Sequence, residues 1–92
     1  MSYVIVTADF PGVTSEQRDK IYKNLEQEKW IKVKEFGRDI STVWYARFQD
    51  NVAEESAIRI SINDFVNCSK SSCNPKMVLH WGPSKPSFYG LS

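Results

Sequence analysis

Apolar residues along this chain switch between two periods, every second position in short β-branched runs and every third or fourth position in longer stretches, and that switch orders its elements. Tyr3-Val4-Ile5-Val6-Thr7 is nearly continuously apolar, the pattern of a central strand covered on at least one face. Asp9-Phe10-Pro11-Gly12 ends it, because Pro and Gly interrupt the ladder. Thr14-Ser15-Glu16-Gln17 then has the spacing of a capping box, with Ile21 and Leu25 behind it at helical intervals, which predicts a helix over about 15 to 29.

Trp30 to Phe36 alternates, setting Ile31, Val33 and Glu35 against Trp30, Lys32, Lys34 and Phe36. After the connection Gly37-Arg38-Asp39-Ile40-Ser41, the run from Thr42 to Phe48 opposes Val43, Tyr45 and Arg47 to Trp44, Ala46 and Phe48. The two strands predict an antiparallel hairpin. Asn51 to Cys68 carries both periods: Ile58 to Asn63 alternates as a half-exposed strand does, whereas Ile58, Ile62, Phe65 and Val66 make a helical stripe behind an Asn51 N-cap and Glu54. The capping signal and the length favour helix. Met77 to Trp81 is the last strand, closed by Gly82-Pro83.

The resulting order, β-α-β-β-α-β, predicts a ferredoxin-like α+β domain over residues 1–82: a four-stranded antiparallel sheet with two helices on one face. Residues 83–92 form a C-terminal tail whose Phe88, Tyr89 and Leu91 point to docking. The second sheet face is left for the tail or a partner to cover, and an uncovered face that carries aromatics is where binding or homodimer formation is expected.

A chain of 92 residues makes one domain, and 41% hydrophobic with 25% charged residues excludes disorder. No apolar run approaches the roughly 20 residues of a membrane helix, and no basic segment with a cleavage site opens the chain, so the expectation is a cytoplasmic protein without a membrane partner. The net charge of +1 gives no overall field that argues for nucleic acid. Its distribution adds something, because residues 65–92 contain Lys70, Lys76 and Lys85 and no acid. In so small a domain any site is expected to be a shallow surface or a subunit interface.

Cys68, Cys73 and His80 are the only Cys and His residues, too few for a closed zinc site of four such ligands, and a disulfide is disfavoured in a reducing cytosol. Free thiols with Cys68 half-buried are expected, and no metal is assigned. Catalytic triads, phosphate loops and zinc-protease motifs are absent. Asp9 stands out because it follows the first strand directly: either it shapes the Asp-Phe-Pro-Gly turn, or two such carboxylates across a dimer axis hold a divalent ion against a phosphodiester. Lys29, Lys32, Lys34 and Arg38 cluster between the first helix and the hairpin. They complement the helix dipole and protect a strand edge, or they contact phosphate. With Trp30 and Phe36 on the same face, Lys32 and Lys34 would give the basic and aromatic mixture that single-stranded RNA binding uses; alternatively those aromatics are core and Ile31 and Val33 face outward. Trp44, Tyr45, Phe48 and Trp81 read as sheet-packing residues, and His80 as a surface histidine.

Tyr3-Val4-Ile5-Val6 leading into Asp9-Phe10-Pro11, a polar helix, and then Glu35-Phe36-Gly37 before a strand resembles the GhoS family, the antitoxin endoribonucleases of type V toxin-antitoxin systems. The likeness covers the first half of the chain. That family is ferredoxin-like, similar in fold to the small nuclease-like family of CRISPR adaptation, whose members also place an Asp at the end of the first strand. The resemblance implies a regulatory protein that binds or cleaves RNA, with Asp9 and Arg18 as catalytic candidates, Lys20 joining Lys29, Lys32, Lys34 and Arg38 as phosphate contacts, and Mg as the metal if cleavage occurs. The sequence departs from the family in having fewer arginines in the first helix and a longer, Pro-containing C-terminus. The alternative is a non-enzymatic interaction module, an antitoxin, immunity or inhibitor protein that meets a protein partner through its sheet face or edge.

Overall fold

The computed structural model describes residues 1–33 and 43–87, and the elements run β1 (Ser2–Asp9), α1 (Ser15–Gln27), β2 (Ile31–Lys32), β3 (Val43–Phe48), α2 (Glu54–Ser69) and β4 (Lys76–Gly82). The strands form one sheet in the order β2-β3-β1-β4, antiparallel throughout. The architecture is therefore α+β, a four-stranded antiparallel sheet with two helices. β1 holds the centre because its even residues, Val4, Val6 and Ala8, are buried while the odd ones face the other way.

Those even residues share one core with Ile21 and Leu25 of α1, Ala57 and Phe65 of α2, and Trp44 and Ala46 of β3, so both helices cover the same sheet face. The centre of that core is aromatic. Phe65 meets Trp30 at 4.9 Å and Trp44 at 6.4 Å, both edge to face, and stacks parallel to Phe10 at 6.5 Å.

α1 starts where the sequence places it. The Thr14 hydroxyl accepts from the Gln17 N–H at 3.2 Å, and the Gln17 side-chain oxygen accepts from the Thr14 N–H at 2.9 Å, a complete capping box. The helix stops at Gln27, two residues before the predicted end. Lys29 turns left-handed at φ 73°, its N–H donating to the Glu26 carbonyl and the Trp30 N–H to the Leu25 carbonyl, both at 3.1 Å. These are the paired bonds of a Schellman motif, and they fold Trp30 back onto the core beside Leu25.

α2 is a helix, which settles the two periods of its sequence, but it differs from the expected one at both levels. Its N-cap is Ala53, without a side-chain capping bond, because residues 49–52 close a turn first, through the Val52 N–H and the Gln49 carbonyl. Its buried face is Ala57, Ser61, Phe65 and Ser69, whereas Ile62 and Val66 are exposed and Ile58 only partly covered. The rings of Trp30, Trp44 and Phe65 fill the space beneath the helix, so small residues face them. The Ser61 and Ser69 hydroxyls are satisfied by donating to the carbonyls four residues back, each at 2.7 Å.

The hairpin strands pair as predicted, Ile31 with Tyr45 and Lys32 with Trp44. Trp30 belongs to the core and Ile31 faces outward; Val33, expected outward in that arrangement, is buried, its N–H donating to the Val43 carbonyl at 2.8 Å. The predicted connection from Gly37 to Ser41, with Lys34, Glu35 and Phe36, lies outside the described residues, as do Phe88, Tyr89 and Leu91. Among the described residues no helix is long and apolar enough to cross a membrane.

Candidate nucleic-acid interface

Strand alternation decides what the helix-free face displays. Register places Ile31, Tyr45, Ile5 and His80 in one row across the sheet, and Arg47, Tyr3 and Gly82 in the next. Tyr45 and Tyr3 are therefore diagonal neighbours on β3 and β1, about 7 to 8 Å apart at the backbone. Beyond Gly82 the chain brings Lys85 over the sheet, its ammonium 6.0 Å from the centre of the Tyr45 ring.

The end of β3 runs on past the start of β2 at Ile31. Where α1 feeds into β2 beside that end, an open cleft of about 900 Å³ forms, lined by Tyr3, Tyr45, Arg47, Lys29, Lys32 and Glu26 among others. Glu26 is the one acid among its described lining residues, so the cleft carries net positive charge. Two of its cations were expected from the sequence, Lys29 and Lys32. The Lys32 ammonium turns to the helix side, 5.0 Å from the centre of the Tyr22 ring.

The remaining sequence candidates are spread out. Asp9 is exposed at the far end of β1, opposite Lys76, six residues and so about 20 Å from Tyr3. Arg18 and Lys20 are exposed on α1, and Lys20 precedes Lys29 by nine residues, about 13 Å along a helix. Asp9 and Arg18 thus stand toward one end of the molecule, and Lys29 and Lys32 at the other. Lys34 and Arg38 lie outside the described residues. No group of three or more His, Cys, Asp or Glu is placed to hold a metal ion among the described residues.

The sequence alone marks neither Tyr3 nor Arg47 as a site residue, and it marks Lys85 only as one of three lysines in the acid-free segment 65–92. The outward phase of Tyr3 and Arg47 is readable from strand alternation, but their adjacency depends on the β1–β3 register, which the sequence does not contain.

Both cysteines are free thiols, each partly covered. Burial pushes the Cys68 thiol up to about 11, helped by the charges of Asp64 and Glu28. Burial and then Asp9 raise Cys73 in the same direction. Neither thiol has the electropositive surroundings of a reactive nucleophile, which moves attention back to the cleft. Comparison with protein-family models, with curated proteins and with solved structures returned no match, so the geometry of this face stands alone.

Proposed function

We propose that the chain is a small cytoplasmic regulatory protein of ferredoxin-like fold that binds single-stranded RNA on its helix-free sheet face, in the setting of a toxin-antitoxin or mobile-element system. One observation carries the reading: Tyr3 and Tyr45 sit diagonally on that face, with Arg47 and Lys29 on the adjoining cleft and Lys85 over the second ring. Outward aromatics stack bases and the cations beside them take the backbone. The βαββαβ order and the β2-β3-β1-β4 arrangement support the fold name. Cleavage, which the likeness to GhoS antitoxins implies, is the further proposal: Asp9 and Arg18 with Mg would act on a strand long enough to reach from the cleft to the far end of β1.

The test is a titration of a labelled single-stranded decanucleotide at low and moderate salt, comparing the native chain with Tyr45→Ala and Arg47→Gln. Saturable binding that weakens with salt and falls in both variants supports RNA binding. Absence of binding at micromolar protein overturns it. Product gels with and without Mg, repeated with Asp9→Asn, decide cleavage.

A second reading, a protein-interaction module or homodimer, is favoured by apolar exposure at the other edge of the sheet. Val78 on edge strand β4 is 73% exposed, and Ile62 and Val66 stand exposed on α2. An edge strand of this kind accepts another strand by backbone pairing. Sedimentation at increasing concentration, with Val78→Asp as control, tests it; a chain that stays monomeric at high concentration rules out the homodimer.

A further inference from the structure

The residue just past the C-cap of α1 occupies a backbone position suited to glycine. Lys29 has φ 73°, and it provides the left-handed turn of the Schellman motif that sends Trp30 into the core. Non-glycine residues in this conformation are strained, and such strain concentrates where a side chain has a task beyond folding. Lys29, in the turn two residues before Ile31, and Arg47, two residues after its partner Tyr45 on β3, both line the cleft. Tyr3 and Tyr45 line it too.

We infer that Lys29 and Arg47 form a phosphate subsite in the cleft, beside the stacking surface of Tyr3 and Tyr45, and that the left-handed turn at Lys29 aims its ammonium there. The inference deepens the RNA-binding reading and rests on it for the identity of the ligand, a phosphodiester strand. Charge supports it: among the described lining residues Lys29, Lys32 and Arg47 face only Glu26, and the Lys32 ammonium is already placed on the Tyr22 ring. Division into cations that hold the backbone and rings that hold bases is how single strands are gripped without sequence readout.

The experiment uses Lys29→Gly, because glycine adopts the same φ without strain and leaves the turn intact. Lys29→Arg and Arg47→Gln accompany it, and the probes are a labelled oligouridylate decamer and inorganic tripolyphosphate. Expected for Lys29→Gly is an affinity for the decamer about five- to tenfold lower, with the salt dependence shallower by about 0.7 in log-log slope, the share of one phosphate contact to a single strand. Lys29→Arg keeps both quantities near native, and quenching of tyrosine fluorescence at saturation is the same in all four proteins. Tripolyphosphate raises the melting temperature of the native chain and not that of Lys29→Gly. Unchanged decamer affinity and slope in Lys29→Gly overturn the subsite and leave the RNA reading standing. If the native chain ignores the decamer but tripolyphosphate protects it through Lys29, the subsite stands and the RNA reading falls; if neither probe binds, both fall.

Discussion

The indole Nε1 of Trp30 donates to the Asp64 carboxylate at 2.9 Å, joining the residue that leads into β2 to the middle of α2. Trp30 is 3% exposed and meets Phe65 edge to face, so this bond satisfies the donor of a buried ring. It also fixes the chain between Lys29 and Ile31, both of which line the cleft. Asp64→Ala leaves the indole N–H unpaired and is expected to lower stability by about 1 to 3 kcal/mol. Asp64→Asn, whose amide oxygen still accepts, should lose less than half as much. Denaturant melts of the two variants check this, and equal losses would show that the bond is not the reason.

Lys29→Gly removes the strain of a left-handed lysine, which amounts to roughly 1 kcal/mol, set against a few tenths for losing a cation at the negative end of α1. The net expectation is a melting temperature about 4 °C higher for a domain of this size. Lys29→Ala keeps the strain and loses the cation, so it should melt below the native protein. Calorimetry of the pair separates backbone from charge, because the two variants lose the same ammonium and differ only in their tolerance of φ 73°.

The Cys68 thiol, raised to about 11 by burial and by Asp64 and Glu28, holds on the order of one thiolate in a thousand at pH 8. Alkylation by iodoacetamide should therefore be slow and should accelerate up to pH 11, with Cys73, raised less, reacting first. Asp64→Asn should speed modification of Cys68 relative to Cys73. The linkage has a definite sign. The folded pKa lies above the ordinary 9.0, so the folded state binds the proton more tightly; this contribution to stability is complete below pH 9 and is lost as pH rises to about 11. Mass spectrometry of the two cysteine peptides against pH reads the first effect, and melts between pH 8 and 11 read the second.

Local chemistry was the legible part of the sequence. Thr14 and Gln17 fix the start of α1 through bonds made within four residues, and the alternation of Val43 to Phe48 gives the faces of β3 without help from the rest of the chain. Long-range placement was not legible. Asn51 and Glu54 have capping spacing, but the turn closed by Val52 and Gln49 delays the helix to Glu54. The basic residues were read as one group, whereas the rise of α1 separates Lys20 from Lys29, and the cleft draws its other members from β1 and β3 through register. A site assembled from four elements leaves no spacing in the sequence to find.

The same limit applies to the buried face of α2, where it yields the sharpest test. Hydrophobicity alone turns Ile58, Ile62, Phe65 and Val66 inward, but of these the structure fully buries Phe65 alone, burying Ser61 completely beside it and leaving Ile62 38% exposed. Isoleucine and serine have similar intrinsic helix propensity, so exchanging them reports packing and little else. Ser61→Ile forces a larger side chain into the space beside Ala57 and Phe65 and breaks the bond to the Ala57 carbonyl, an expected loss of about 1 to 3 kcal/mol. Ile62→Ser removes partly solvated surface and should cost less than about 1 kcal/mol. Urea denaturation ranks the two. Were Ile62→Ser the more damaging, the helix would present its isoleucine stripe to the sheet, and the exposed apolar flank behind the protein-interaction reading would vanish with it.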